Sequence, residues 1–342
     1  MRKKKLWALI ALVLLLAGCG KTAKAPEAPA EVVTETAPEA PAAAAETEAV
    51  AQTVAIESEA PAEEPATDYV FTDDLGREVT VKRHDRVVTL LGSFCDEWLL
   101  AGGSVVGTGS DSFASLELDP SVADVGEHSE PNLEVILSLE PDLVIASSSF
   151  DEQIALEEPL ESAGAVVAYF DVKSFDDYLS SLKIFTDITG RADLYEQYGT
   201  AVEAQIAEAK KQIDGTQPTV LFLRATSSSV KVKGSKGTVG GEILADLDTV
   251  NIADSDSLLE DLSLEAIIAD DPDYIFVTTM GSNTDAALAV VEEALVSNPA
   301  WQTLRAVQNG NYYILEKELY NSKPNARWGE AYQKLADILY PR

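Results

Sequence analysis

The sequence predicts an α/β protein made of two similar Rossmann-like lobes, each around a mainly parallel sheet, with one long α-helix bridging them. Three observations predict it. The first is a stretch written twice: Asn132 to Ser148, NLEVILSLEPDLVIASS, returns as Ser263 to Thr279, SLEAIIADDPDYIFVTT. Leu133, Glu134, Ile136, Pro141 and Asp142 come back as Leu264, Glu265, Ile267, Pro272 and Asp273, all displaced by the same number of positions. The second is the apolar run closing each copy, LVIA or YIFV. These runs are β-branched or aromatic and do not alternate, as expected of strands buried on both faces of a parallel sheet. The Pro-Asp ahead of each run breaks the helical turn before it, because proline cannot continue a helix and biases its predecessor toward extended geometry. The third is the segment 191–214 between the copies. It reads as one helix with no Pro, and Arg191 to Ile213 would form a rod of roughly 35 Å.

The chain of 342 residues has room for two domains at roughly 100 to 200 residues each. Its formal net charge of −33 argues against a nucleic-acid partner, since a phosphate backbone would be repelled along most of the surface. Residues 1–18 read as a signal peptide. Arg2, Lys3, Lys4 and Lys5 precede an apolar run from Leu6 to Ala17, shorter than the about 20 residues that span a bilayer. The ending Leu16-Ala17-Gly18-Cys19 resembles the bacterial lipobox, which would make Cys19 the lipid-modified first residue of the mature chain. Within 19–67, the stretch after that cysteine is dominated by Ala, Glu, Pro and Thr. It cannot bury enough apolar surface to offset its ordering entropy, so a disordered, self-repelling acidic tether is expected. Cys95 is then the only other cysteine, which leaves no intramolecular disulfide framework.

The N-terminal lobe is placed at 68–190. YVFTDDLGREVTV alternates around a turn at Asp74-Leu75-Gly76 and reads as a hairpin. RVVTLL is the first buried strand, EWLLAGG a helix stopped by glycine, and Val105 to Thr108 a further short strand. After the first repeat copy come a helix over Asp151 to Ala163 and the strand VVAYF. Strand, helix and strand in succession is the grammar of a parallel sheet with crossovers. FDDYLSSLKIFTDITG is an amphipathic helix closed by Gly190. The C-terminal lobe, 215–342, repeats the order: TVLFLR as a strand, a polar Gly/Ser/Lys-rich segment, the helix GGEILADL, then the second copy. A helix over Asp285 to Leu295 follows, then a strand in NYYIL, and a last helix over Arg327 to Leu339.

For chemistry, no nucleophile elbow, phosphate loop or dinucleotide fingerprint is present. KGSKGTVGG lacks the Gly-Lys-Ser/Thr ending of a phosphate loop. The two histidines, His84 and His128, have no zinc-type spacing. The carboxylates read as a solubilising surface, and an enzyme is not expected.

The lipobox, the acidic tether, a start like TDDLGREVTV, the duplicated Leu-Glu/Pro-Asp elements and the mid-chain helix together resemble one family. It is that of the substrate-binding lipoproteins of ABC importers for iron-siderophores, haem and cobalamin. The likeness covers roughly Asp68 to Arg342. It implies a ligand cleft between the lobes, limited movement on binding, and a monomer anchored outside the cytoplasm by its lipid. It also implies a permease dimer with its ATPase as partner, a small-molecule ligand and no cofactor. The transported ligand would be an iron complex, haem or a corrinoid. Glu134 and Glu265 match the family glutamates that meet arginines on the two permease subunits. A surface adhesin or sensor reusing the fold is the alternative, and a tethered hydrolase a weaker one.

In open parallel sheets, ligands sit outside the carboxyl ends of the strands. That rule marks Gly92 to Glu97, Gly126 to Pro131, Ser147 to Phe150, Arg224 to Gly237, Thr278 to Asn283 and Tyr320 to Trp328 as cleft-lining. Within them the candidate ligand contacts are Ser93, Cys95, Glu97, His128, Arg224, Lys231, Lys233, Met280, Tyr320, Lys323, Arg327 and Trp328. Leu223 to Gly237 carries cations and no acid, which favours an anionic ligand, while the aromatics favour a flat or apolar body. His128 and Met280, on opposite lobes, are candidates for an axial pair to haem iron. The sequence does not choose among the ligands.

Overall fold

The computed structural model describes residues 68–254 and 263–342. Cys19, the signal peptide and the acidic tether lie outside the described residues. The chain opens with an antiparallel hairpin, β1 (Tyr69–Thr72) and β2 (Glu78–Val81). The buried Asp73 carboxylate shapes its turn by accepting the backbone N–H of Leu75 and Arg77. The N-terminal lobe then runs β3 (Val87–Thr89), α1 (Gly92–Leu100), β4 (Gly107–Thr108), β5 (Ala123–Asp124) and a small hairpin, β6 (Gly126–Glu127) with β7 (Glu130–Pro131). Next come α2 (Leu133–Ser138), β8 (Leu143–Ser147), α3 (Asp151–Ile154), α4 (Glu157–Ser162), β9 (Val166–Phe170) and α5 (Phe175–Thr189). Its sheet, in the order β5-β4-β3-β8-β9, is parallel throughout. The helix expected over Asp151 to Ala163 is two short helices, because the chain bends between Ala155 and Leu156 before Glu157.

α5 starts on a capping box, with the Ser174 hydroxyl accepting from the Asp177 N–H and the Asp177 carboxylate from the Ser174 N–H, and ends on left-handed Gly190. The bridge follows: α6 (Ala192–Tyr195), a π turn (Glu196–Thr200) and α7 (Ala201–Lys210). This run is shorter at both ends than the expected Arg191 to Ile213. Its buried Val202, Ile206 and Ala209 face the core, with α7 against the last helix.

The C-terminal lobe contains β10 (Thr219–Ala225), β11 (Val230–Lys233), α8 (Val239–Asp246), β12 (Val250–Asn251), α9 (Leu264–Asp270) and β13 (Tyr274–Thr279). It closes with α10 (Thr284–Val291), α11 (Arg305–Gln308), β14 (Tyr312–Ile314), α12 (Lys317–Tyr320) and α13 (Trp328–Leu339). Its sheet runs β11-β10-β13-β14, with β12 also beside β10. All its pairings are parallel except β10 with β11. β11 lies in the segment that the sequence marks only as polar and Gly/Ser/Lys-rich.

The repeated element does the same work twice. Asn132 and Ser263 cap α2 and α9 by accepting the N–H of Val135 and Ala266. Glu140 and Asp271 then turn the chain with φ of 45° and 41°, and a buried proline follows each. The Asp142 carboxylate accepts the N–H of Asp85 and Arg86 at 3.1 Å, and its own N–H donates to the Arg86 carbonyl at 3.0 Å. In the second copy Asp273 accepts the Thr219 N–H at 2.9 Å and hydroxyl at 2.8 Å, while its N–H donates to the Thr219 carbonyl at 2.9 Å. Each aspartate thus pins the start of the first strand of its lobe to the strand beside it.

The lobes are not separate cores. One cluster of buried apolar residues joins Phe94, Phe170, Phe175 and Phe185 of the first lobe to Phe222, Phe276, Trp328 and Tyr332 of the second. Two further clusters fill the outer faces of the two sheets. Asp142→Ala and Asp273→Ala should each lower unfolding stability by roughly 1–3 kcal/mol, the cost of stranding partly buried N–H donors. Chemical denaturation measures this, and wild-type midpoints for both variants would remove the pinning role.

Candidate functional site

The carboxyl ends of β8, β9, β10 and β13 converge on an interlobe cavity of about 150 Å³. Ser147, Ser149, Phe150, Asp171 and Lys173 line the N-terminal side; Arg224, Lys233, Thr278, Tyr320 and Lys323 line the other. A shallower groove of about 580 Å³ follows α3 and α4, lined by Glu157, Glu158 and Glu161. It belongs to one lobe, and Arg77 already neutralises part of it through ion pairs to Glu157 at 2.8 Å and Glu161 at 3.4 Å. The interlobe cavity carries the chemistry.

That cavity is cationic. β11 pairs with β10 so that Lys231 lies opposite Arg224 and Lys233 opposite Phe222, and β13 sets Thr278 beside Arg224 on the other flank. Residues paired across neighbouring strands share a face, so Lys231, Arg224 and Thr278 form one row. Arg224 is half-buried, and among the described residues no hydrogen bond or ion pair engages its guanidinium. Burial pulls its pKa down. Lys233 is pulled down too, first by burial and then by Arg224 and Lys231. The Thr278 hydroxyl, in a residue 1% exposed, has no hydrogen-bond partner among the described residues. Across the cleft, Lys173 is paired with Asp171. The Lys323 ammonium lies 5.2 Å from the Phe94 ring centroid, its pKa lowered by burial.

Of the candidate ligand contacts, the cleft brings together Arg224, Lys233, Tyr320 and Lys323. Lys231 is exposed on the same sheet face as Arg224. The others lie outside the cavity lining. Cys95, Glu97 and Trp328 are fully buried in packing and do not line the cavity. The strand before Cys95 is short, so α1 begins already at Gly92 and turns Cys95 and Glu97 inward, while Trp328 is buried at the start of α13. Burial raises the Cys95 thiol pKa, as for a small core residue. Ser93 contributes its backbone carbonyl to an internal hydrogen bond. Arg327 points outward and is held by Glu330 at 2.7 Å and Glu316 at 3.6 Å. His128 stands edge-on to Phe150 with ring centroids 5.0 Å apart, and Met280 is 37% exposed outside the cavity lining. Asp171 and Lys173 were not anticipated, although they follow the strand VVAYF directly.

Comparison with known proteins agrees with this architecture. The family model described as periplasmic binding protein matches residues 88–319. The chain belongs to the periplasmic-binding-protein family. It is similar to the Fe(3+)-citrate-binding protein YfmC of Bacillus subtilis, 26% identical over 256 residues that cover 73% of this chain and 79% of that one. It is also similar to the uncharacterized ABC transporter substrate-binding lipoprotein YvrC of Bacillus subtilis, 25% identical over 349 residues that cover 99% and 98% of the two chains. Among solved structures, the apo periplasmic heme-binding protein RhuT from Roseiflexus sp. RS-1 superposes with a TM-score of 0.62 at 25% identity, covering 75% of this chain and 98% of that one.

This periplasmic binding protein also has a polar joint between its lobes. Asn325, buried and with a left-handed φ of 50°, donates from Nδ2 to the Ser93 carbonyl and to Asp96 Oδ2, both at 2.8 Å. Asparagine tolerates that conformation better than most residues. Next to Asp96, Glu97 accepts a short hydrogen bond from the Ser181 hydroxyl, and its other oxygen, Oε2, has no partner among the described residues. Burial pushes the Glu97 carboxyl up to about 8, against partial relief from Ser181 and Lys323.

A carboxyl raised above its ordinary value holds its proton more tightly folded than unfolded. Stability from Glu97 is therefore full below about 4.5 and is lost as pH rises through about 8. Glu97→Gln, which cannot ionise, should flatten the decline in Tm between pH 5 and pH 8 and be the more stable protein at pH 8. By linkage the advantage there is roughly 2–5 kcal/mol. Parallel pH–Tm curves would remove this assignment.

Proposed function

We propose that this periplasmic binding protein is an extracytoplasmic lipoprotein that captures an iron chelate or a related macrocycle and delivers it to an ABC permease dimer driven by its ATPase. The observation that carries the reading is the cation-lined cleft between two lobes in a chain of net charge −33. Such a cleft concentrates field of one sign where the rest of the surface repels anions. The relatives named for Fe(3+)-citrate binding and for ABC transport support it, as does the Leu-Ala-Gly-Cys19 sequence. No bond is made or broken; the work is capture and hand-over by a monomer.

Glu134 and Glu265 are the docking residues. Both are exposed in the first turn of equivalent helices, α2 and α9, behind equivalent side-chain caps. Acidic residues at helix N-termini are locally favourable, so their identity costs the fold nothing. An exposed ion pair contributes roughly 0–1 kcal/mol, which suits orientation and encounter more than tight holding. The double change Glu134→Lys with Glu265→Lys should abolish uptake of the chelate by cells, while the purified variant binds ligand as the wild type does. Unchanged uptake would remove the transport reading. Cys19→Ser should release the protein from the membrane fraction to the soluble one, and retention in membranes would contradict the lipid anchor.

A further inference from the structure

The unsatisfied groups of the cleft lie together on one wall. Arg224 and Thr278 are neighbours in register on β10 and β13; among the described residues one is a half-buried guanidinium without a counter-charge, the other a fully buried hydroxyl without a partner. Lys233 adds a second cation from β11 on the same face. A buried cation left unpaired is costly, and a guanidinium fork beside a hydroxyl matches the two oxygens of an oxyanion. The opposite wall differs, because its cation, Lys173, already has Asp171. The site is thus one-sided, with an oxyanion seat on the C-terminal lobe and a hydroxyl-lined face, Ser147 and Ser149, across from it.

Shape adds a constraint. The cavity of about 150 Å³ is smaller than the about 300–1,000 Å³ of sites for drug-sized ligands. Phe222 and Tyr320, 1% and 2% exposed, offer little open ring surface to a flat ligand, and half-buried Phe150 is already engaged edge-on with His128. His128 and Met280 do not line it. Among the described residues no group of His, Cys, Asp or Glu could hold a metal ion directly, so a metal cargo would have to bring its own ligands.

We propose that the cleft selects a compact, net-negative ferric chelate with free carboxylates, seated by Arg224, Thr278 and Lys233, over neutral hydroxamate chelates, haem and corrinoids. This rests on the solute-binding reading and narrows its ligand class.

The test is titration of the purified protein, followed by tryptophan fluorescence and calorimetry, with iron(III) citrate, a charge-neutral ferric trihydroxamate, haem and cyanocobalamin. Iron(III) citrate should bind and the other three should not compete. Its affinity should fall as salt rises. Arg224→Gln should weaken it about 10- to 100-fold and the near-isosteric Thr278→Val about 10-fold. Lys82→Gln, the same loss of charge at an exposed residue remote from the cleft, where Lys82 pairs with Asp68 at 3.6 Å, should leave it unchanged. Matching Tm values for the variants separate lost seating from lost folding. Binding of haem, cobalamin or the trihydroxamate that is indifferent to Arg224→Gln would overturn the ligand class while leaving the solute-binding reading in place. No binding of any of the four would overturn both.

Discussion

Each lobe depends on a carboxylate that does not touch the cleft. A helix ending in a left-handed residue, then proline, must hand the chain to a strand at a fixed place and angle. In both lobes the aspartate after the proline makes the connection by accepting backbone N–H groups at the start of the neighbouring first strand. Arginines reinforce each joint. Arg86 donates from Nε to the Leu139 carbonyl at 2.8 Å, and Arg305 pairs with Asp273 at 3.0 Å. With β3 set against β8 and β10 against β13, the carboxyl ends of the strands fall level, and the cleft groups are delivered there. Were the register to slip by one residue, side chains would exchange faces, and Arg224 would turn into the apolar layer occupied by Leu221 and Leu223.

Charge is divided along similarly simple lines. The surface is acidic and solvated, and most of its lysines and arginines are engaged in short-range ion pairs such as Lys183 with Asp187 and Arg191 with Asp193. In the cleft, Arg224, Lys233 and Lys323 have no such ion pair among the described residues. Their lowered pKa values reflect desolvation, and a bound anion would reverse that effect.

Much of this was legible in the chain before folding. The duplicated Leu-Glu/Pro-Asp element announced two units because helix, break and buried strand each leave a local signature. TVLFLR and VVAYF likewise declared themselves as strands, and Phe175 to Gly190 as a helix closed by glycine. VKVK was passed over as strand β11 although it alternates, because Gly and Ser on both sides masked a short edge strand. Cys95, Glu97 and Trp328 were assigned to the cleft by proximity to strand ends. Their burial depends on where α1 and α13 start and how they roll, which is set by packing and not by the residues alone. Nothing local marks Asn325 as a joint. Its partners are Ser93 and Asp96, far away in the chain, and only the assembled fold brings them together.

The shared apolar cluster and the Asn325 joint carry a further consequence. Two lobes stitched by a helix on one side, a common core in the middle and a hydrogen-bonded asparagine near the cleft have little freedom to hinge. Empty and loaded protein would then present almost the same silhouette to a membrane partner, with Glu134 and Glu265 equally far apart in both. A transporter facing such a carrier could not judge occupancy by its span. It would have to probe the mouth of the cleft itself, where an anionic cargo would screen the positive charge of Arg224 and Lys233.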